Sequence, residues 1–116
     1  MSAQRIAIID YGMGNVGSIR NMLTRIGSKA QMVSSPEEIA EATKLILPGV
    51  GAFDNAMIRL KELDLIPVLH ERVVNDGVPI LGLCLGMHLF CNRSEEGELP
   101  GLGWIEANVR RFNLEA

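Results

Sequence analysis

No apolar run in this 116-residue sequence approaches the roughly 20 residues that a membrane-spanning helix requires. The stretch from Met1 to Arg5 lacks the basic-then-apolar layout of a secretory signal, so a cytoplasmic location is expected. Cysteine is scarce: Cys84 and Cys91 would lie about 10 Å apart along a helix axis, too far for a disulfide. Neither a Cys-x-x-Cys pair nor a histidine pair accompanies them, which argues against a metal site. Excess charge is small as well, a formal −3, which gives nucleic acid or an acidic membrane no electrostatic reason to bind. Internal repeats, linkers and low-complexity segments are also missing. What is present is the composition of one ordinary globular domain, 47% hydrophobic and 22% charged, for which metabolite chemistry is the natural expectation.

Strand-like and helix-like segments alternate along the chain. Arg5-Ile-Ala-Ile-Ile9 is short, apolar and β-branched, and Asp10-Tyr11-Gly12 closes it, which predicts a buried strand and a turn. Val16, Ile19, Leu23 and Ile26 recur at helical spacing, and Gly27 supplies the stop. A weaker strand over Ala30 to Val33 leads into a short acidic helix that Ser35 caps and Pro36 opens. Lys44 to Leu47 is a third strand, after which Pro48-Gly49-Val50-Gly51 enforces an irregular loop. Helices are predicted over Phe53 to Leu63 and Leu65 to Asp76, then a buried strand over Val78 to Leu83 and an amphipathic stretch from Met87 to Cys91. Ser94-Glu95-Glu96-Gly97 reads as a polar loop, and Trp104 to Phe112 holds only short extended pieces. The expected fold is α/β, an open and mostly parallel sheet with helices on both faces. It is expected to occupy residues 1–116 as one domain.

Two glycine-rich segments stand at strand-to-helix junctions. Gly12-Met13-Gly14-Asn15-Val16-Gly17 fits G-x-G-x-x-G, the pattern of a dinucleotide-binding loop. That reading also wants an acidic residue at the tip of the second strand, where Ser34 and Ser35 stand instead. A plain tight turn and a partner-facing loop are the competing readings. The second segment, Gly82-Leu83-Cys84-Leu85-Gly86, is a G-x-C-x-G. A nucleophile on a sharp turn needs small residues two positions to either side, and the turn exposes it at the carboxyl end of the sheet. The helix amino terminus that follows favours the thiolate, and the N–H of Leu85 would face a developing oxyanion. A small thiol in a crowded core is the competing reading. Cys91, without such a setting, is expected to be a buried structural thiol.

Five ordered motifs then combine: Asp10-Tyr-Gly-Met-Gly-Asn15, Leu47-Pro-Gly-Val-Gly-Ala-Phe53 with Ala56-Met57, Gly82-Leu-Cys-Leu-Gly-Met87, Ser94-Glu-Glu96 and Pro100-Gly-Leu-Gly103. Together they resemble the glutaminase subunits of imidazole glycerol phosphate synthase, class I (triad) glutamine amidotransferases with a flavodoxin-like fold. The resemblance runs over nearly the whole chain. It implies that Cys84 attacks the side-chain amide of glutamine, that ammonia leaves, and that water releases glutamate from the thioester. It further implies that Gly49, Val50 and Gly51 form an oxyanion strand whose N–H joins that of Leu85; losing one such donor typically costs about 3 to 4 kcal/mol of transition-state stabilisation. Glu96 would help hold the glutamine ammonium group, although in isolation it reads as a solvated surface charge. The resemblance implies no cofactor, and a heterodimer in which ammonia passes to a barrel-shaped cyclase subunit of histidine biosynthesis, with Gly12, Met13, Gly14 and Asn15 facing that partner.

The sequence departs from this pattern in two places. The family's His-Pro-Glu stretch, which activates the cysteine, is not among these residues, so the chain is expected to be an amino-terminal part of such an enzyme and inactive alone. Its two histidines are His70 and His88. His70 is expected at the surface of a charged helix face. His88 replaces a family glutamine that contacts substrate, and is expected to line the pocket; a Cys84–His88 dyad and a plain surface position compete with that reading. An amidotransferase feeding another acceptor, such as a surface-polysaccharide sugar, is the nearest functional alternative. An inactive docking or nucleotide-binding module is the alternative from another class.

Overall fold

Ile6–Ile9 forms the central strand, β1, because three of its four residues are β-branched and both of its faces are covered. The structure is a computed structural model that describes residues 4–112; residues 1–3, part of the amino-terminal stretch weighed above, and residues 113–116 lie outside it. Ala30–Val33 (β2) pairs with β1 on one side and Lys44–Leu47 (β3) on the other, and Ile80–Gly82 (β4) pairs with β3. Every one of these pairings is parallel, giving the order β2-β1-β3-β4.

That order places a reversal between β1 and β3: the chain leaves β1 toward β2 on one side, then returns to the other. In open α/β sheets ligands bind outside the carboxyl ends of the strands at such a reversal. The loops that emerge there are those following Ile9, Leu47 and Gly82.

Helices flank the sheet. Val16–Arg25 (α1) is capped by the Asn15 side chain, which accepts from the Ser18 N–H at 3.3 Å, and ends before Gly27 at φ +86°. Its expected apolar stripe is only partly used, since Ile26 is exposed. Pro36–Ala40 (α2) opens with a capping box: the Ser35 hydroxyl accepts from the Glu38 N–H, and the Glu38 carboxylate accepts from the Ser34 N–H and the Ser35 hydroxyl. Those bonds hold the Glu38 carboxyl below its usual range.

Phe53–Glu62 (α3) and Leu65–His70 (α4) are separated by Asp64 in the left-handed conformation, at φ 57°. The predicted second helix runs to Asp76, yet after His70 the chain widens into a π-helical turn, Glu71–Asn75. The Asp76 N–H there reaches the Glu71 carbonyl at 2.9 Å. Arg72 donates to the carbonyl of Ala42 and pairs with Asp76 at 3.1 Å.

The core is built from Ile9, Tyr11, Ile39, Leu47, Phe53, Leu60, Leu65, Leu69 and Leu89. Burying each aliphatic side chain among them contributes about 1.5–3 kcal/mol. The strand expected over Val78 to Leu83 needs correction: only Ile80–Gly82 pairs, and Leu81 is 54% exposed. β4 is the edge of the described sheet, with a strand on one side only.

Two smaller elements complete the described chain. Leu85–His88 (α5) is a single turn, shorter than the amphipathic stretch expected from Met87 to Cys91. Arg93–Ser94 (β5) pairs in parallel with Asn108–Val109 (β6), so Ser94 is a buried strand residue rather than part of a polar loop. Between them, Pro100-Gly-Leu-Gly103 folds back behind α5. The N–H groups of Gly101, Leu102, Gly103 and Trp104 donate to the carbonyls of Asn92, Leu89, Cys91 and Phe90. These bonds satisfy carbonyls that a helix end would otherwise leave without partners.

Candidate active site

The turn that carries Cys84 is built by the ladder stopping abruptly. Leu83 still donates its N–H to the Leu47 carbonyl at 3.0 Å, and the next residue, Cys84, adopts φ 52°, ψ −119°. This is a conformation L-residues avoid, and such strain costs on the order of 1–3 kcal/mol. Residue Cys84 is exposed, at the carboxyl end of β4. Both flanking glycines are there for room. A Cβ on Gly82 would lie 2.7 Å from Met87 Cα and from the Phe90 ring, and one on Gly86 would collide with the Leu47 carbonyl.

Beside the elbow lies the loop after β3. Leu85 donates its N–H to the Gly49 carbonyl at 3.2 Å, and Val50 donates its N–H to the Met13 carbonyl at 3.2 Å. The Leu85 N–H expected to face an oxyanion, and the Val50 N–H of the expected oxyanion strand, are therefore both engaged. One peptide, Gly49–Val50, supplies the acceptor for the first and the donor of the second, so turning that single peptide over frees both. Tyr11, 1% exposed, donates its hydroxyl proton to the Pro48 carbonyl at 2.6 Å, which holds the loop from beneath. Burial raises the Tyr11 phenol well above its ordinary value of 10. The Arg59 Nε donates in turn to the Tyr11 carbonyl at 3.2 Å.

The loop from Gly12 to Asn15 sits against this one through the Met13 carbonyl. A Cβ on Gly14 would meet Pro48 Cβ at 3.2 Å, whereas one on Gly17 would meet nothing within 4 Å. The dinucleotide pattern uses its third glycine for close helix–strand packing. Here that packing is missing, and the segment lies as a turn against the loop after β3.

Glu96 lies in the loop after β5, exposed, with its N–H donated to the Ser94 hydroxyl at 3.1 Å. His88 ends α5, half-buried, its N–H toward the Cys84 carbonyl at 3.4 Å. His70 is exposed at the end of α4, as expected for a surface position. Cys91, expected to be buried, is half-buried and free; its carbonyl is taken by the Gly103 N–H because the chain turns there instead of continuing as a helix.

Two residues that matter to this geometry were not singled out from the sequence. Tyr11 stood inside a recognised motif, but nothing in the spacing showed that its hydroxyl reaches Pro48. Asp54 accepts backbone N–H groups from Glu98 and Leu99, more than 40 residues away, a pairing that only the fold brings about. A cavity of about 690 Å³ also opens over Arg5, Arg20, Lys29, Glu38 and Glu41, but none of the residues around Cys84 lines it. No helix among the described residues is long and apolar enough to cross a membrane, and no cluster of three or more potential metal ligands occurs among them.

Comparison with known proteins points the same way as the elbow. Residues 13–114 match the profile of the SNO glutamine amidotransferase family. The imidazole glycerol phosphate synthase subunit HisH 2 of Methanococcus maripaludis is 61% identical over 109 residues, which is 94% of this chain and 54% of that protein. The HisH 2 subunit of Pseudomonas aeruginosa is 51% identical over 92% of this chain and 53% of its own length, and the HisH subunit of Thermosynechococcus vestitus 48% identical over 99% and 54%. The chain thus spans about half the length of the curated relatives it matches. A solved glutamine amidotransferase superposes with a TM-score of 0.75 at 24% identity, covering 91% of this chain and 56% of that one, a likeness of fold.

Proposed function

The chain belongs to the SNO glutamine amidotransferase family, and from that premise we propose that it is the cysteine-bearing part of a glutaminase that supplies ammonia to a cyclase subunit in histidine biosynthesis. The observation that carries this reading is the strained, exposed Cys84 at the carboxyl end of β4, beside the Gly49–Val50 peptide. The relatives named as HisH subunits of imidazole glycerol phosphate synthase support the choice of acceptor over a sugar or another amine.

In the proposed reaction the Cys84 sulfur attacks the side-chain carbonyl carbon of glutamine. The C–N bond breaks, nitrogen leaves as ammonia, and the remaining acyl thioester is hydrolysed by water to glutamate, regenerating the thiol. The oxygen that becomes negatively charged is steadied by the N–H groups of Leu85 and Val50 once the Gly49–Val50 peptide turns, with Gly49 and Gly51 as the flexible flanks. Glu96 holds the substrate ammonium, and His88 lines the pocket. The hydrogen bond from this peptide to Met13 supports a reading in which the segment Gly12 to Asn15 faces a barrel-shaped cyclase in a cytoplasmic heterodimer and reports the partner's arrival to the oxyanion loop.

The base that activates Cys84 is proposed to come from a His-Pro-Glu stretch that this sequence does not contain, so the 116-residue chain by itself turns glutamine over negligibly. The test is covalent trapping. A chloroketone analogue of glutamine should alkylate Cys84, as read by peptide mass spectrometry, and Cys84→Ser should abolish the adduct while Cys91 stays unmodified. Labelling that ignores competing glutamine, or that falls on Cys91, rejects the glutaminase reading. Robust glutamate release by the chain alone would instead promote His88 to the role of base.

A further inference from the structure

Asp54 stands in the first turn of α3, yet its carboxylate does not serve that helix as a cap: Ala52 occupies the cap position and offers no side-chain bond. The carboxylate instead accepts the N–H of Glu98 at 2.9 and 3.1 Å and that of Leu99 at 3.0 Å. A charged acceptor shared by two consecutive backbone donors is a strong and directional clamp. The clamp is closed from the other side by Gly97, where any Cβ would run into the Asp54 carboxylate. At the opposite end of the same loop the buried Ser94 hydroxyl receives the Glu96 N–H, and the Ser94 carbonyl receives the Gly97 N–H at 3.2 Å. Glu96 is therefore one of the exposed residues of a short loop pinned at both ends, its carboxylate without a hydrogen-bond partner among the described residues.

Asp54 is also three positions beyond Gly51, separated from the oxyanion loop only by Ala52 and the buried Phe53. The amino end of α3 thus supports two loops at once, the one that approaches Leu85 and the one that carries Glu96. We propose that Asp54 is the positioning residue for substrate binding: it sets the place of Glu96 relative to Cys84 and thereby the affinity for the ammonium end of an α-amino acid amide. This rests on the glutaminase reading above and adds to it a residue with no part in the bond-making steps.

The experiment follows alkylation of Cys84 in the full 116-residue chain by the glutamine chloroketone over a range of concentrations. The half-saturating concentration reports binding, the limiting rate reports the thiol, and the rate with iodoacetamide reports the thiol without any binding. Asp54→Ala is expected to raise the half-saturating concentration about tenfold, and to leave the limiting rate and the iodoacetamide rate within about twofold of wild type. Asp54→Asn, which keeps the shape and one acceptor oxygen, should fall between. Gly97→Ala should reproduce the Asp54→Ala effect with Asp54 intact. An unchanged half-saturating concentration in Asp54→Ala overturns the proposal, as does an equal fall in all three rates. Should Asp54→Ala lose its circular dichroism signature, Asp54→Asn and Gly97→Ala decide by the same criteria. A wild-type chain that shows no saturation at all, while reacting normally with iodoacetamide, rejects the glutaminase reading itself, an outcome separate from a saturating wild type with an indifferent Asp54 variant.

Discussion

The hydroxyl of Tyr11 and the carbonyl of Pro48 meet at 2.6 Å, joining the loop after β1 to the loop after β3 inside the core. This bond fixes the height at which the Gly49–Val50 peptide sits beside Cys84. Tyr11→Phe keeps the ring but leaves a buried carbonyl without a donor, a loss of about 1–3 kcal/mol by urea denaturation. The pH dependence has a definite sign. Burial raises the folded-state phenol above its ordinary value of 10, so the unfolded chain gives up this proton first. The stability Tyr11 contributes is therefore complete below about pH 10 and is lost as pH rises further, and the gap between wild type and Tyr11→Phe should narrow there. A gap that widens above pH 10 contradicts the assignment.

Cys84 can be relieved of its backbone strain at the cost of its chemistry. Cys84→Gly removes the thiol at a φ of 52° that glycine adopts freely, so the variant should be more stable than wild type by about 1 kcal/mol while losing all analogue labelling. Cys84→Ala, which keeps the strain, should lose labelling without the gain. Equal stabilities for the two variants would show that the elbow is relaxed.

Two glycine-to-alanine changes should have opposite signs. At Gly86 the new methyl group has to displace the Leu47 carbonyl, and overpacking of this kind costs roughly 1–3 kcal/mol or more. Gly17 lies inside α1 with open space around it, so Gly17→Ala should stabilise the fold by about 0.4–1 kcal/mol. Thermal unfolding of both variants reads the difference. A destabilising Gly17→Ala would mean that the glycine pattern at the start of α1 has a packing role after all.

The α2 capping box offers a smaller and more local check. Ser35→Ala removes the acceptor of the Glu38 N–H, and caps of this kind are worth about 1 kcal/mol. The Glu38 carboxyl, held low by the Ser34 N–H first and the Ser35 hydroxyl second, contributes its share above the ordinary carboxylate range and loses it as pH falls. Wild type and Ser35→Ala should therefore converge in acid, as a guanidinium melt at neutral and acidic pH would reveal.

Local signals in the sequence account for most of the sheet. Ala30–Val33 and Lys44–Leu47 fall where short, largely apolar segments between helical stretches place them, and Ser35-Pro36 opens α2 as capping chemistry requires. Misreadings arose where non-local contacts decide. Val78 to Leu83 looks like an interior strand by composition, but a strand's burial depends on what lies beside it, and Leu81 has little there. The helix beyond Cys84 stops after one turn, and backbone donors from residues 101–105 take the carbonyls of Leu89 to Asn92 that follow it, a partnership with no local trace. The strand character of Ser94 likewise depends on Val109. At the site, the G-x-C-x-G elbow was legible because steric need sets its spacing, and Gly82 and Gly86 prove as confined as that need demands. The orientation of the Gly49–Val50 peptide was not, since glycine flanks allow either face.

Folding order carries a consequence for synthesis. The segment that follows the Cys84 turn, Leu89 to Asn92, is held by amides that reach to Ile105, some twenty residues downstream of the thiol, so a nascent chain that has just extruded that thiol still lacks this brace. The turn of the proposed nucleophile is thus completed late, after β1, β2 and β3 have had their partners available, and a ribosome stalled between residues 86 and 100 would present a sheet without its finished Cys84 turn.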